Sequence, residues 1–437
     1  MLINRFYFCF IKLIFSSVAL ILWVPVYAAD LNPLIKNALE SDPRILSAHA
    51  EIRASQSDVE GAYSVYYPII RGNGVYGNVE NRNPLQNDGN KSTYGLEIEQ
   101  PLPFFGGESA SIEVVKAEVR LKEIELERLR QAVFFEVLES AIKVQEKLSS
   151  LRLHELMVDN LFSQVGSLRE SVAGGGSKMN EYYSAQSEWI QMQVLKAQAQ
   201  ADHVAALKKL RSLAPDVTVD REFMAADPNA LGLPLIPDEF DVALSDSRSR
   251  SPSLLLAGLA LKKAQAELDF AKVIIWPRLS LKYSIQRGTF GDTSADTSSV
   301  LLNLSVPLFE GFSSTAKMTT AMHRVEAQRE KLHQQRRLHD QRLEEIWSRW
   351  KSATEMVLVL QTAKHQVQEV VAAIEVQRAS GTNTVLVELS AKLTLIQTQL
   401  KEINQRVQRD LALAELLHQM GYLMLPVNSA LLSYQRG

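Results

Sequence analysis

The chain has 437 residues, 47 basic against 50 acidic side chains, a formal net charge of −3 and one cysteine, Cys9. That balance excludes the basic excess of a nucleic-acid-binding protein, and a lone cysteine excludes both a disulfide framework and a multi-cysteine metal site.

Residues 1–28 read as a secretory signal peptide. Arg5 and Lys12 form a short basic start, Leu13 to Val24 an apolar run, and Val26-Tyr27-Ala28 a small-residue cleavage site. The apolar run has about 12 residues where about 20 are needed to span a bilayer, which disfavours a retained anchor. Cys9 follows Phe6-Tyr7-Phe8, not the small residues of a lipoprotein site, so the mature chain is expected to carry no thiol and no lipid. Beyond residue 28 no apolar run reaches 18 residues. An exported chain of this kind is periplasmic, secreted, or built into the outer membrane as a β-barrel.

Ser41-Asp42-Pro43 opens a helical run that Tyr67-Pro68 stops, because the residue before proline avoids the helical region. Two strands are predicted next. Ile69 to Val79 is Gly- and Asn-rich and weakly patterned, whereas Tyr94, Leu96 and Ile98 alternate with Gly95, Glu97 and Glu99 up to Pro101, which ends the strand. The turn between them holds Asn87 and Asp88. A proline-free helical stretch then runs from Glu108 to Val172, roughly 100 Å at 1.5 Å per residue. Val137, Val144, Leu151, Val158 and Val165 recur within it every seven residues, as in a coiled-coil seam. Gly174, Gly175, Gly176 and Ser177 fold it back on a second helix.

The order then repeats. Ser251-Pro252 opens a run that Trp276-Pro277 stops, at an offset of 209 from the first. Leu279, Leu281, Tyr283 and Ile285 alternate with Ser280, Lys282, Ser284 and Gln286, and Val300, Leu302 and Leu304 alternate with Leu301, Asn303 and Ser305. From Ser313 to Ala379 a second long seam passes through Leu343, Ile346, Ala353, Val357, Val367 and Val371, broken by Lys364. Pro101-Leu102 matches Pro307-Leu308 and Ser184-Ala185 matches Ser390-Ala391, both at offset 206. These registrations argue for duplication. The expected organisation is a signal peptide over 1–28, repeats over 29–211 and 241–422 flanking a proline-rich connector over 212–240, and a tail over 423–437. The fold class is mainly α, with long antiparallel coiled-coil hairpins and four strands per chain.

Four strands cannot close a membrane barrel, which needs at least about 8, yet an open edge in lipid leaves backbone groups unpaired. Three copies give a shared 12-strand barrel with a duct; two would give 8, whose interior side chains fill. The polar face, with Glu97, Glu99, Ser280, Lys282, Gln286 and Asn303, then lines the lumen and the apolar face meets lipid. A small soluble sheet with one wet face is the competing reading.

The repeated helix, Tyr-Pro or Trp-Pro stop, strand pair, Gln100-Pro101-Leu102-Pro103-Phe104-Phe105-Gly106-Gly107 or Val306-Pro307-Leu308-Phe309-Glu310-Gly311, and coiled-coil hairpin resemble the TolC-like outer membrane efflux family over residues 30–422. The resemblance implies a passive homotrimeric duct in the outer membrane of a Gram-negative bacterium. Its helical tunnel would meet a periplasmic adaptor (membrane fusion protein) and an inner-membrane transporter of the resistance-nodulation-division or ABC type. No cofactor, metal or nucleic acid is implied. The hairpin turns would form the gate and docking tip, through Gly174 to Ser177 and through Gly381, Thr382, Asn383, Thr384, Val387, Glu388 and Ser390. The archetype of the family has arginine where Asn383 stands and aspartates where Val387 and Ser390 stand; the nearest acid here is Glu388, one position off that face.

Other motifs carry less. Gly72-Asn73-Gly74-Val75-Tyr76-Gly77 fits a dinucleotide-binding spacing but opens no helix, and Gly174-Gly175-Gly176-Ser177-Lys178 lacks the Gly-Lys-Ser/Thr of a phosphate loop. The eight histidines form no metalloprotease pair. A periplasmic adaptor or a secreted coiled-coil structural protein would share the heptads, but neither explains two amphipathic strand pairs.

Overall fold

The computed structural model describes residues 31–79, 89–103, 106–176, 178–218, 235–290 and 293–423. The expected signal peptide, Cys9, Asn87, Asp88, Ser177, most of the connector and the tail beyond 423 lie outside them. In chain order the elements are α1 (Leu31–Ser41), α2 (Pro43–Tyr63), β1 (Ile69–Val79), β2 (Gly89–Leu102), α3 (Gly107–Ala173) and α4 (Met179–Leu213), then α5 (Phe240–Arg250), α6 (Pro252–Val273), β3 (Arg278–Phe290), β4 (Thr293–Ser305), α7 (Ser313–Ala379) and α8 (Val385–Gln419). Helices α3 and α7 each have 67 residues, and α4 and α8 each have 35.

Proline sets the starts of α2 and α6, occupying their first turns where its missing N–H costs nothing. Asp42 caps α2 by accepting the Arg44 backbone N–H at 2.8 Å, while the Arg44 guanidinium forks onto Glu136 of α3 at 2.9 and 2.8 Å. Helix α2 ends at Tyr63, short of the Tyr67-Pro68 stop, since Ser64 to Tyr66 tighten into a 3₁₀ turn and Tyr67 is already extended ahead of Pro68. Helix α6 stops at Val273, where the Trp276 N–H closes a turn onto Val273 O at 3.0 Å ahead of Pro277.

The strands form one antiparallel sheet in the order β1-β2-β3-β4. Strand β2 does not end at Pro101 as expected: Pro101 pairs opposite Ser280 and Leu102 opposite Leu279. Strand β1 begins only at Ile69, opposite Glu99, so at Pro101 the second strand has a single neighbour and proline's absent donor is tolerated.

Two cores lie along the helices. The larger gathers Leu31, Leu34 and Ile35 of α1, Phe134 and Leu138 of α3, Leu343 and Ile346 of α7, and Leu416, Tyr422 and Leu423. The second lies towards the hairpin turns, where Met157, Leu161 and Leu168 of α3 meet Met192 of α4 and Leu389 and Ile396 of α8. Helices α1 and α5, unmarked in the sequence reading, belong to the first level. Helix α1 buries its apolar face, and α5 is held to α7 by Arg248 on Asp340 at 3.0 and 2.7 Å and by Ser247 against His339 at 3.0 Å.

One residue at the sheet–helix junction is strained. Phe312, the residue before α7, has φ +66° where the residue before α3 is Gly106 at φ +81°. A side chain there costs about 1–2 kcal/mol relative to glycine.

Candidate functional site

The sheet has two unlike faces. Its register puts Arg71, Glu97, Ser284 and Ser299 in one row, and Ile69, Glu99, Lys282 and Leu301 in the next, on the same face. Ser280 lies opposite Asn303, and Gln286 opposite Gly95, again on that face. All six residues expected to line a lumen therefore share one surface. Its charges are cross-linked: Arg71 reaches Glu99 at 2.9 Å and Glu97 at 3.4 Å, and Lys282 reaches Glu97 at 2.9 Å. Arg71 escaped the sequence reading because it sits in the weakly patterned β1, and only the register aligns it with the two acids.

The opposite face carries Ile98, Tyr283 and Val300 in one row and Leu281 and Leu302 in another. Leu302 is 66% exposed and Leu304 58%, so this apolar surface has nothing of its own chain against it. It is not wholly apolar, as the alternation suggested: at its far end Arg287 pairs with Asp296 at 2.7 and 2.5 Å. Strands β1 and β4 each have one neighbour only, so both outer edges present unpaired backbone groups.

The tips are the reversals after α3 and α7, and they share one geometry. Gly175 N–H donates to Val172 O and Gly176 N–H to Ser171 O; likewise Gly381 N–H donates to Arg378 O and Thr382 N–H to Gln377 O. Gly175 and Gly381 hold φ +76° and +77°, the left-handed C′ position of a Schellman ending, where glycine carries no Cβ penalty. Thr382 and Thr384 are exposed, Asn383 donates to the Gln377 side chain at 2.6 Å, and Val387 and Ser390 lie exposed three residues apart on one face of α8.

Glu388 behaves differently from its neighbours. Only 3% exposed, it accepts from Arg378 at 2.5 Å and Lys392 at 2.6 Å, with Gln164 of α3 at 3.4 Å. Burial would raise its pKa, but the two cations outweigh that and hold it below the usual glutamate value. Its carboxylate is thus turned into the chain's own interior and joins the two hairpins; it cannot supply a free acid to a tip surface. Its partners lie 10, 4 and 224 residues away. Among the described residues no helix is long and apolar enough to cross a membrane, and no His, Cys, Asp and Glu group could hold a metal ion.

Two 67-residue helices rooted in a two-faced four-strand sheet are the architecture of outer-membrane channel subunits. The sequence pattern of the outer membrane efflux proteins matches residues 34–214 and again 243–422, and the chain belongs to that family, whose members are passive channels and not enzymes. Protein CyaE of Bordetella pertussis is 24% identical over 319 residues; the match spans 70% of this chain and 64% of CyaE, just under two thirds of its length. Among solved structures, the channel-forming protein CusC superposes with a TM-score of 0.79 at 16% identity, covering 90% of this chain and 92% of CusC. The open state of the MtrE channel of Neisseria gonorrhoeae gives 0.76 at 16% identity, over 90% and 88%. The outer membrane protein VceC of Vibrio cholerae gives 0.74 at 16%, over 90% and 96%.

Proposed function

We propose that three copies of this chain close a 12-strand barrel in the outer membrane of a Gram-negative bacterium. Their helices would continue as a periplasmic tunnel, the passive outer duct of an export system. The observation that carries this reading is the sheet itself, with four strands, two open edges, one charge-paired face and one bare apolar face. In lipid the edges need partners, and pairing β4 of one copy with β1 of the next supplies them. The equal helix lengths in the two halves and the doubled family match support an origin by duplication, with repeats over 29–211 and 241–422 around the connector at 212–240.

Helix α3 leaves the sheet at Gly107 and turns only after Ala173, so the tips lie about 100 Å from the barrel. Gly174 to Ser177, Gly381 to Thr384, Val387 and Ser390 are then the gate and the docking site for a periplasmic adaptor, itself coupled to an inner-membrane transporter. Glu388 acts there by holding the hairpins together. Glu97, Glu99, Ser280, Lys282, Gln286 and Asn303 face the lumen.

Cysteine pairing across the edges tests the assembly. With Cys9 replaced by serine, one cysteine at Ile70 or Gly72 of β1 and one at Val300, Leu302 or Leu304 of β4 are oxidised in isolated outer membranes. A disulfide ladder that stops at three chains is expected; one that stops at two, or no ladder from any combination, overturns the trimeric barrel.

A further inference from the structure

We propose that the entrance at the tips is sealed by apolar contact between the Val387 side chains of three copies and carries no fixed charge, so that it excludes ions by drying and passes cargo of either sign. The inference rests on the reading above that Val387 and Ser390 line the gate. Between Val385 and Leu400 of α8 the exposed residues are Val387, Ser390, Thr394 and Gln397, one stripe in steps of 3, 4 and 3. No charge lies on it. The next exposed residue along it, Lys401, is 14 positions from Val387, or about 21 Å at 1.5 Å per residue.

The stripe is less polar than its composition. Ser390 Oγ donates to Val387 O at 2.8 Å and Thr394 Oγ1 donates to Ser390 O at 2.9 Å, so both hydroxyl protons are held by the carbonyls of their own helix. At the tip end of the stripe Val387, 40% exposed, presents its two methyl groups.

The charges of this tip are paired beside the stripe, not on it. Glu388 holds Arg378 and Lys392, and Lys392 also reaches Glu375 at 2.8 Å. Two acids and two cations of α7 and α8 thus neutralise one another. A ring of free carboxylates would raise the local concentration of cations and let multivalent ones plug the opening. Val387 and Ser390 offer no such ring. A narrow apolar constriction loses its water and stops ions of both signs until its walls part. Val387 then sets the selectivity of the entrance, which rejects small hydrated ions and is indifferent to the sign of the cargo.

Current recordings of the assembled protein in planar bilayers of phosphatidylethanolamine and phosphatidylglycerol test this, with hexaamminecobalt(III) added to either side. Ser390→Asp supplies the missing carboxylate and should be blocked at concentrations at least about tenfold below those that affect the parent. Val387→Thr, nearly equal in shape but carrying a hydroxyl, should conduct at rest several-fold more than Val387→Leu, which enlarges the apolar surface. Parent block as strong as that of Ser390→Asp overturns the uncharged entrance, and its relief by Glu181→Gln would assign the acid to the first hairpin. Val387→Thr as closed as Val387→Leu means a seal by shape alone and overturns the apolar one. If Ser390→Asp responds like the parent while ions still flow, position 390 does not line the opening, and the proposal falls with the duct intact. Conductance from none of the proteins sinks the duct reading itself. Ser390→Glu gives the same readout should the first variant not assemble.

Discussion

Lys364 of α7 reaches Glu402 of α8, Nζ to Oε2 at 2.8 Å, at the layer where the apolar repeat of α7 is interrupted. Glu402 is buried and also accepts from Arg406 at 2.8 Å. Lys364→Leu leaves that carboxylate with one cation, and a loss of about 1–3 kcal/mol is expected. Lys364→Leu with Glu402→Leu restores a continuous seam and should recover to within about 1 kcal/mol of the parent. Denaturant midpoints of the solubilised protein measure both, and a double variant weaker than the single one contradicts the account.

The Glu388 cluster predicts an acid-sensitive tip. A carboxyl whose folded pKa is depressed stabilises the fold fully above its unfolded value of 4.5 and loses that contribution as pH falls through the lower folded value. The protection of amides around Leu161, Leu168 and Leu389 against hydrogen exchange, relative to the intrinsic rate at each pH, should therefore fall below about pH 4.5. Glu388→Gln should be less protected at neutral pH and flatter with pH; an unchanged profile would show that the carboxylate does not join the hairpins.

At the level of the larger core the sign is the same, with a different group. His339 is buried between Ser247 and the Gln419 amide at 2.9 Å, and burial, with Arg248 adding to it against Asp340, lowers its pKa below 6.5. His418, stacked on Phe135, is lowered by burial against the opposing pull of Glu415. The unfolded chain binds protons that these two rings refuse, so stability falls as pH drops through 6.5. Melting temperature should decrease from pH 7.5 to 5.5, and His339→Asn with His418→Asn should flatten that slope.

The two sheet faces should differ in their tolerance of charge. Leu302→Arg puts a cation on the bare apolar face and should cost about 2–4 kcal/mol of insertion at mid-depth, whereas Asn303→Arg, on the opposite face, should assemble normally. Yields of heat-resistant trimer in the outer membrane report the difference; equal losses contradict the assignment of faces.

Cysteines at Val387 or Ser390 should form disulfides between copies and block export, with reduction restoring it. Both side chains are exposed on one face of α8, beside the tip. Efficient labelling of these sites without crosslinks would move the constriction elsewhere.

Much of this fold was legible because prolines and heptads are local signals. Pro43, Pro68, Pro252 and Pro277 punctuate the chain where helices begin and strands follow, and the proline-free stretches from Glu108 to Val172 and from Ser313 to Ala379 match α3 and α7 to within one residue of their ends. The 11-residue α1 and α5 are too short to carry such a seam, and they form by packing against residues remote in sequence. The charge pairs of Arg71 and of Glu388 depend on strand register and on Gln164, which periodicity does not encode. Phe312 was silent as well, since a backbone angle leaves no trace in composition.

Leu31 and Leu423, near opposite ends of the described chain, lie in the same core. That core is therefore incomplete until the chain is available from Leu31 through Leu423. Closing so long a loop is slow relative to forming the hairpins, so a transient species with made helices, an open waist and exposed strand edges precedes the finished subunit. Such a species is a natural client for a holding chaperone, and truncation just before Tyr422 should arrest maturation at that point while leaving both hairpins formed.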